Sequence, residues 1–415
     1  MTQFIIYVIL HILSRRTGRN PPGTGRQARP PGTPSDPVIY IGSEEQRLLV
    51  KSVRDAVERD VEPVVDRYGK DEPLEKADVL EVLSVLSEQG VLGRDVPEAA
   101  GGAALDHTTW ALMFEELPMQ VDLVAMITSE VARMVHGAGS ETVREEYLGP
   151  LLAGEIVGCA GISEPGVGSN PREIATTAER EDGGWVIDGT KTWISNGEIA
   201  DVAVVVADTD AGKTHFLIDA DAEGFGRERL EMLGRRYDHM GQLHLDDVWV
   251  PEENVVGTPG DALDRTYQSF ELGRANVALL GVKTARNALE AATAYAGDRE
   301  QFGKPIGGHQ LVQRLVAESA TYVDAARLLA YRALSMFDDG EQAATEAAMA
   351  KWFATETAVE VTSNAIQVHG AMGLSRELDV ERYFRDAKML TVPEGTTQIN
   401  KLIVARDLLG VSAFR

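Results

Sequence analysis

Glu394 stands in the run Val392-Pro393-Glu394-Gly395-Thr396-Thr397-Gln398-Ile399. A carboxylate of this kind can act as a general base where its surroundings raise its basicity. Ser163-Glu164-Pro165-Gly166-Val167-Gly168-Ser169, preceded by Ile162, brings two glycines and two hydroxyls into one short stretch. The pair of glycines could suggest a nucleotide-phosphate loop. Asn170 precedes Pro171, however, and proline disfavours helix at the residue before it, so a β-turn loop is the plain reading. Trp193, Ile194 and Ser195 follow Gly189-Thr190-Lys191-Thr192, and a tryptophan in a strand is by itself more often core than cofactor wall. Arg299, with Gln301, Phe302, His309 and Gln310 after it, offers a fixed guanidinium suited to a diphosphate, where a lone arginine at a helix end would read as a surface ion pair. Gln367 to Gly373 holds Gly370 and Ala371, where backbone can lie close to a ligand. Glu271 and Arg274 flank Gly273 and read as a solvated helix face or as a ligand-binding pair. Eight histidines are scattered without ligand spacing, so no metal site is expected. No Walker sequence or nucleophile elbow occurs.

The elements that must carry these residues follow from composition and periodicity. A chain of 415 residues suggests two or three domains, and an apolar share of 44% is ordinary for a globular protein. A formal charge of -25 argues against nucleic acid, because no net positive field is available to displace counterions. Cys159 is the only cysteine, which excludes an internal disulfide and a thiolate cluster, leaves a buried inert thiol, and fits a cytoplasmic setting. Residues 1–40 read as a disordered extension: the apolar run at 4–13 is shorter than the ~20 residues of a spanning helix, and five arginines follow among Pro and Gly. Order is expected from Ser43-Glu44-Glu45-Gln46, which has the form of a capping box. The spacing of Val79, Leu80, Leu83 and Leu86 predicts an N-terminal all-α domain over 41–155. Short runs rich in β-branched residues at 156–162, 185–187, 202–207, 215–218 and 244–250 predict a β domain over 156–259. Helical spacing returns over 260–415, where Ala275, Ala278, Ala285, Ala288 and Ala292 form a small-residue face that lets helices approach closely.

Taken together and in order, the segments around Ser163, Trp193, Arg299 and Glu394 resemble the acyl-CoA dehydrogenase family of flavoenzymes over roughly residues 43–415. The resemblance implies an α+β fold: an N-terminal all-α domain, a middle β-barrel-like domain and a C-terminal four-helix bundle. It implies FAD, held by Ile162, Ser163, Gly168, Ser169, Trp193, Ile194, Ser195, Arg299, Gln301, Phe302, His309, Gln310, Gln367, Gly370, Ala371, Thr396 and Gln398. Arg299 and its neighbours would reach the FAD of a second subunit, so a homotetramer or homodimer is expected. Ser169, Glu271, Arg274 and Gly395 match thioester-binding positions, and Glu394 matches the base. The implied reaction is α,β-desaturation of an acyl thioester: Glu394 takes a proton from Cα while hydride leaves Cβ for the flavin, and an electron-transfer flavoprotein accepts the electrons. Some members carry their glutamate instead at the position matching Gly273, which here can abstract nothing. Asn170 stands where the family has Asp, Ser163 where Thr is commoner, and Pro393 where an aromatic residue is common. His369 is expected to pack rather than react. Two rivals share the fold: a dehydrogenase acting on an acyl group tethered to acyl-carrier-protein, and a flavin monooxygenase, whose kind generally lacks the glutamate.

Overall fold

The computed structural model describes residues 43–413; the apolar run at 4–13, the arginines after it and the expected extension over 1–40 lie outside them. Helix α1 (Glu44–Ala56) opens on the expected capping box: Gln46 donates its backbone N–H to Ser43 Oγ at 3.1 Å, and Ser43 returns its own to Gln46 Oε1 at 3.3 Å. Helices α2 (Lys76–Glu88), α3 (His107–Phe114) and α4 (Met119–Ala138) follow, with shorter helical turns over 57–65 and 141–153. Val79, Val82, Leu83 and Leu86 recur at helical spacing and are buried, each such leucine stabilising the fold by about 1.5–3 kcal/mol.

An eight-stranded sheet comes next: β1 (Gly158–Gly161), β2 (Thr177–Glu181), β3 (Gly184–Ile194), β4 (Val202–Thr209), β5 (Gly212–Asp219), β6 (Phe225–Arg229), β7 (Gly241–Pro251) and β8 (Val255–Val256). Its order is β6-β7-β3-β2-β4-β5-β8, with β1 pairing β4 in parallel. The expected runs at 185–187, 202–207, 215–218 and 244–250 fall on strands, and that at 156–162 contains β1 at 158–161. Strands β2 and β6 had no sequence signal, because Thr177-Ala178-Glu179-Arg180-Glu181 is mostly polar and exposed and Phe225-Gly226-Arg227-Glu228-Arg229 is mostly polar and half-buried. Pairing with β3 and β7 fixes them: neighbours override weak intrinsic preference.

The C-terminal part consists of α5 (Ala262–Asp298), α6 (Gln310–Asp338), α7 (Ala344–His369), α8 (Val380–Leu390) and α9 (Thr397–Leu409). Ala285, Ala288 and Ala292 of α5 are buried against Ala358, Val361 and Ala365 of α7. At Gly281 a Cβ would meet the backbone of Ala354 at 3.2 Å, so the small-residue face does bring these helices close. One core joins α1–α4 to Leu272, Val277, Ala330 and Ala350 of the bundle. A second packs Val131 and Val135 of α4 on Val202, Val204 and Leu217 of the sheet. No helix among the described residues is long and apolar enough to cross a membrane.

Candidate active site

The loop over 162–170 is a turn, as its residues demand: Glu164 and Val167 exchange backbone hydrogen bonds at 2.9 and 3.0 Å. Proline at 171 begins only a three-residue 3-10 turn, Pro171–Glu173, and no α-helix. What anchors the loop is Glu164. Its buried carboxylate accepts from the backbone N–H groups of Ala175 and Thr176 at 2.7 and 2.9 Å, and from the Thr176 hydroxyl at 2.6 Å. Lys191, fully buried in β3, completes the set at 2.8 Å. Burial pushes against a charged carboxylate here, but these bonds, led by Lys191, outweigh it and hold Glu164 at about 2. Burial lowers Lys191 to about 8, with Glu164 opposing, so both stay ionised at neutral pH.

Strand β3 is irregular where it matters. Lys191 pairs with Leu243 and Ile194 with Gly241, so Thr192 and Trp193 face the single residue Gln242. Such a bulge re-aims side chains and frees backbone groups from the ladder. Thr192 N–H turns to Ser163 O at 2.9 Å, joining the two loops. Trp193 takes φ 61° and is 58% exposed. A left-handed tryptophan is uncommon and marks a site held by its surroundings. The Thr192–Ser163 bond ties the loop carrying Ser163, Gly168 and Ser169 to the strand end carrying Trp193 and Ser195, while Ile194 is buried in the sheet core.

Glu394 also has positive φ, 54°, as does Gly395 after it at 84°. The bend is clamped from three sides. Arg274 Nε donates to Glu394 O at 3.3 Å; buried Lys351 donates to Thr391 O and Gly395 O at 3.0 and 2.9 Å; Asn400 Nδ2 donates to Gly395 O at 2.7 Å. Thr396 caps α9 through Ile399 N–H, while Gln398 is exposed on its first turn. Glu394 Oε2 is buried and has no hydrogen-bond partner among the described residues. Burial raises the carboxyl to about 7; Arg274 and Lys351 pull against that rise, and Glu130 adds to it. Gly273 lies directly beneath: a Cβ there would sit 2.7 Å from Glu394 Oε2. Gly273 and Glu394 thus meet at one spot although 121 residues separate them in sequence (394 − 273). Arg274 is buried and Glu271 half-buried, its carboxyl raised by burial against the pull of Arg274.

Arg299, Gln301 and Phe302 end α5 and form a small hairpin, Glu300–Gln301 with Lys304–Pro305. His309 Nε2 lies 3.2 Å from Gln301 O, Phe302 is 94% exposed at φ 53°, and Gln310 opens α6. Gln367, Gly370 and Ala371 are exposed at the end of α7. His369 is indeed a packing residue, stacked on Tyr295 with ring centroids 4.3 Å apart and its Nδ1 2.7 Å from Ala365 O. Cys159 is buried, its thiol pushed up to about 12 by burial. The sequence reading passed over Lys351, Asn400 and Glu130, and over the Glu164–Lys191 pair. Only a lysine inside the otherwise apolar stretch Ala347–Ala354 could have flagged Lys351.

Residues 43–155, 159–248 and 263–409 match the acyl-CoA dehydrogenase N-terminal, middle and C-terminal domains respectively. The chain is 36% identical over 384 residues to glutaryl-CoA dehydrogenase of Desulfococcus multivorans, covering 89% of this chain and 97% of that protein. It is 33% identical to the human mitochondrial short-chain specific acyl-CoA dehydrogenase, covering 88% and 90%. Among solved structures, a glutaryl-CoA dehydrogenase from Mycobacterium smegmatis in complex with FADH2 superposes with a TM-score of 0.83 at 26% identity, covering 92% of this chain and 98% of that one.

Proposed function

This chain belongs to the acyl-CoA dehydrogenase family of flavin oxidoreductases, and from that premise we propose that it desaturates an acyl-CoA between Cα and Cβ with Glu394 as the base. The observation that carries the reading is the placement of Glu394, a half-buried residue whose Oε2 is itself buried against Gly273 with no hydrogen-bond partner among the described residues; burial raises its carboxyl to about 7. A weak carbon acid needs a base of that strength, held ready rather than spent on a salt bridge. Arg274, Lys351 and Asn400 fix the backbone on both sides of it, so the oxygen is aimed before substrate arrives. Gly273 leaves the room that the carboxylate occupies. The backbone N–H of Glu394 would polarise the thioester oxygen and stabilise the enolate-like charge. Glu271 and Arg274 would hold the thioester's pantetheine arm near Ser169.

The residues present suit FAD. Exposed Trp193 offers a wall to a flat ring, and the hydroxyls of Ser163 and Ser195 offer hydrogen bonds to its polar edge. Arg299, Gln301, Phe302, His309 and Gln310, with Gln367, Gly370 and Ala371, would hold the FAD of a neighbouring subunit. FAD, when bound, supplies the acceptor for the hydride from Cβ, and an electron-transfer flavoprotein would take the electrons onward. Anaerobic titration of the holoprotein with a panel of acyl-CoA thioesters tests this: one or more should bleach the visible flavin absorbance. Holoprotein that no acyl thioester bleaches is not a dehydrogenase of this kind.

A further inference from the structure

Ser269, Gly273 and Asn276 are spaced by four and three residues on α5, and so share one face of that helix. Glu394 presses its carboxylate on the middle member. An acyl group whose Cα reaches Glu394 therefore lies beside this face. One turn toward the N-terminus, a rise of about 5.4 Å, stands Ser269, which donates to Glu130. Arg133 grips the same carboxylate and also reaches Ser269 Oγ at 3.2 Å. About one turn the other way stands Asn276, whose Oδ1 accepts from Arg94 Nη1 at 3.2 Å. The two ends belong to one cluster, since Asp95 lies 3.8 Å from both Arg94 Nε and Arg133 Nε. The charge of Glu130 is also felt at Glu394. The helix face is thus polar one turn to either side of Gly273.

Arg94 is the member with capacity to spare. It is 3% exposed and stacked 4.1 Å over Trp110, and its guanidinium makes one hydrogen bond among the described residues, the one to Asn276. Asp95 at 3.8 Å is beyond hydrogen-bond reach. Glu130, by contrast, is taken up by Arg133 and Ser269. A buried guanidinium with unfilled donors favours an oxygen acceptor, and covering it with an alkyl chain would strand those donors.

Resting on the dehydrogenase reading above, we infer that Arg94, with Asn276, selects an acyl group carrying an oxygen acceptor at its distal end over an alkyl group of the same length. A site built to hydrogen-bond such a group rejects the analogue that lacks it far more strongly than one built on methylene contacts. The test compares three five-carbon thioesters on the holoenzyme: pentanoyl-CoA, 5-hydroxypentanoyl-CoA and glutaryl-CoA. One or both oxygenated thioesters should bleach the flavin with kcat/KM at least about tenfold above pentanoyl-CoA, and the pair separates a hydroxyl from a carboxylate acceptor. Arg94→Met should remove that preference and Arg94→Lys should retain part of it. Because a change at buried Arg94 can impair folding, calorimetric binding of the same three ligands to Glu394→Gln holoenzyme gives a second measure, in which the oxygenated ligand binds at least about tenfold tighter. Pentanoyl-CoA processed or bound as well as the others overturns the inference, as does a folded Arg94→Met that keeps the preference. Bleaching by none of the three, with FAD bound, while longer alkyl thioesters do bleach it, overturns the inference alone. Bleaching by no acyl thioester at all overturns the dehydrogenase reading as well.

Discussion

Glu394 is held where its charge is least comfortable, and two measurements follow from that. Replacing it with Gln preserves the volume beside Gly273 and removes the proton acceptor. Glu394→Gln should keep bound FAD yet lose bleaching by acyl-CoA by about 10²–10⁴-fold, the usual contribution of a general base. Stopped-flow absorbance decides it, and bleaching at the wild-type rate would remove Glu394 from the chemistry. The second concerns pH. Only the ionised carboxylate abstracts a proton, so kcat/KM should fall about tenfold per unit below pH 7 and level off above it. The same group affects stability with the opposite sense. Its folded pKa lies above the ordinary 4.5, so its contribution to folding is full when it is protonated and is lost as pH rises through about 7. Glu394→Gln should therefore melt progressively above wild type between about pH 5 and about pH 8. The residue type and its place before glycine were legible in the sequence. Its basicity was not, because that arises from burial by α5 and α7, distant segments of the chain.

Two elements, the bulge in β3 and the loop over 162–170, are locked to each other by the buried pair Glu164–Lys191 and by Thr192 N–H on Ser163 O. Removing one partner of a buried ion pair leaves the other charge stranded, a loss of about 3–5 kcal/mol. Glu164→Gln should lower stability by that order in urea melts and also weaken FAD retention, read as flavin-to-protein absorbance after dialysis. The double variant Glu164→Gln/Lys191→Met should recover part of the stability, since no unpaired charge remains. Unchanged flavin retention in the single variant would mean that the pair does not shape the cofactor loop. The sequence announced both loops by their glycines, hydroxyls and tryptophan. That Trp193 points outward was decided by two residues facing one across β3 and β7, a pairing fact that no single strand records.

At the scale of the molecule, helices, sheet and bundle meet at Arg235. It is buried between Asp122 of α4 at 2.6 Å and Asp238 at 2.6 Å, while Lys283 of α5 holds the other oxygen of Asp122 at 3.0 Å. The backbone N–H of Arg235 bonds Asp386 of α8, which also accepts from Tyr237 at 2.9 Å. Asp122→Ala strands the buried Lys283 and leaves Arg235 with Asp238 alone, and should cost about 3–5 kcal/mol in denaturant melts; a loss under about 1 kcal/mol, the worth of an exposed pair, would show that this junction is not structural. Phe302 in the hairpin, 94% exposed, and Leu311 at the start of α6, 77% exposed, leave apolar side chains uncovered here. If these side chains meet a second subunit and its FAD, Phe302→Asp should shift the assembly to a smaller species in analytical ultracentrifugation and release flavin. Retention of both would dissociate the hairpin from assembly.

Local order was already settled in the chain: the capping box at Ser43, the helical spacing of Val79 to Leu86, the alanine face of α5 and the turn at 164–167 each depend on residues within a few positions of one another, which periodicity can report. So did the motifs around Ser163, Trp193 and Glu394, whose types survive in the linear text. Tertiary structure alone decided the rest: that Gly273 and Glu394 occupy one spot, that Lys351 clamps the bend, and that Arg94, Glu130 and Arg133 stand along the helix face beside it. Those are relations between segments remote in sequence, set by how helices and sheet share their cores. Electrostatics and exposure depend on distance in space, which the order of residues does not carry.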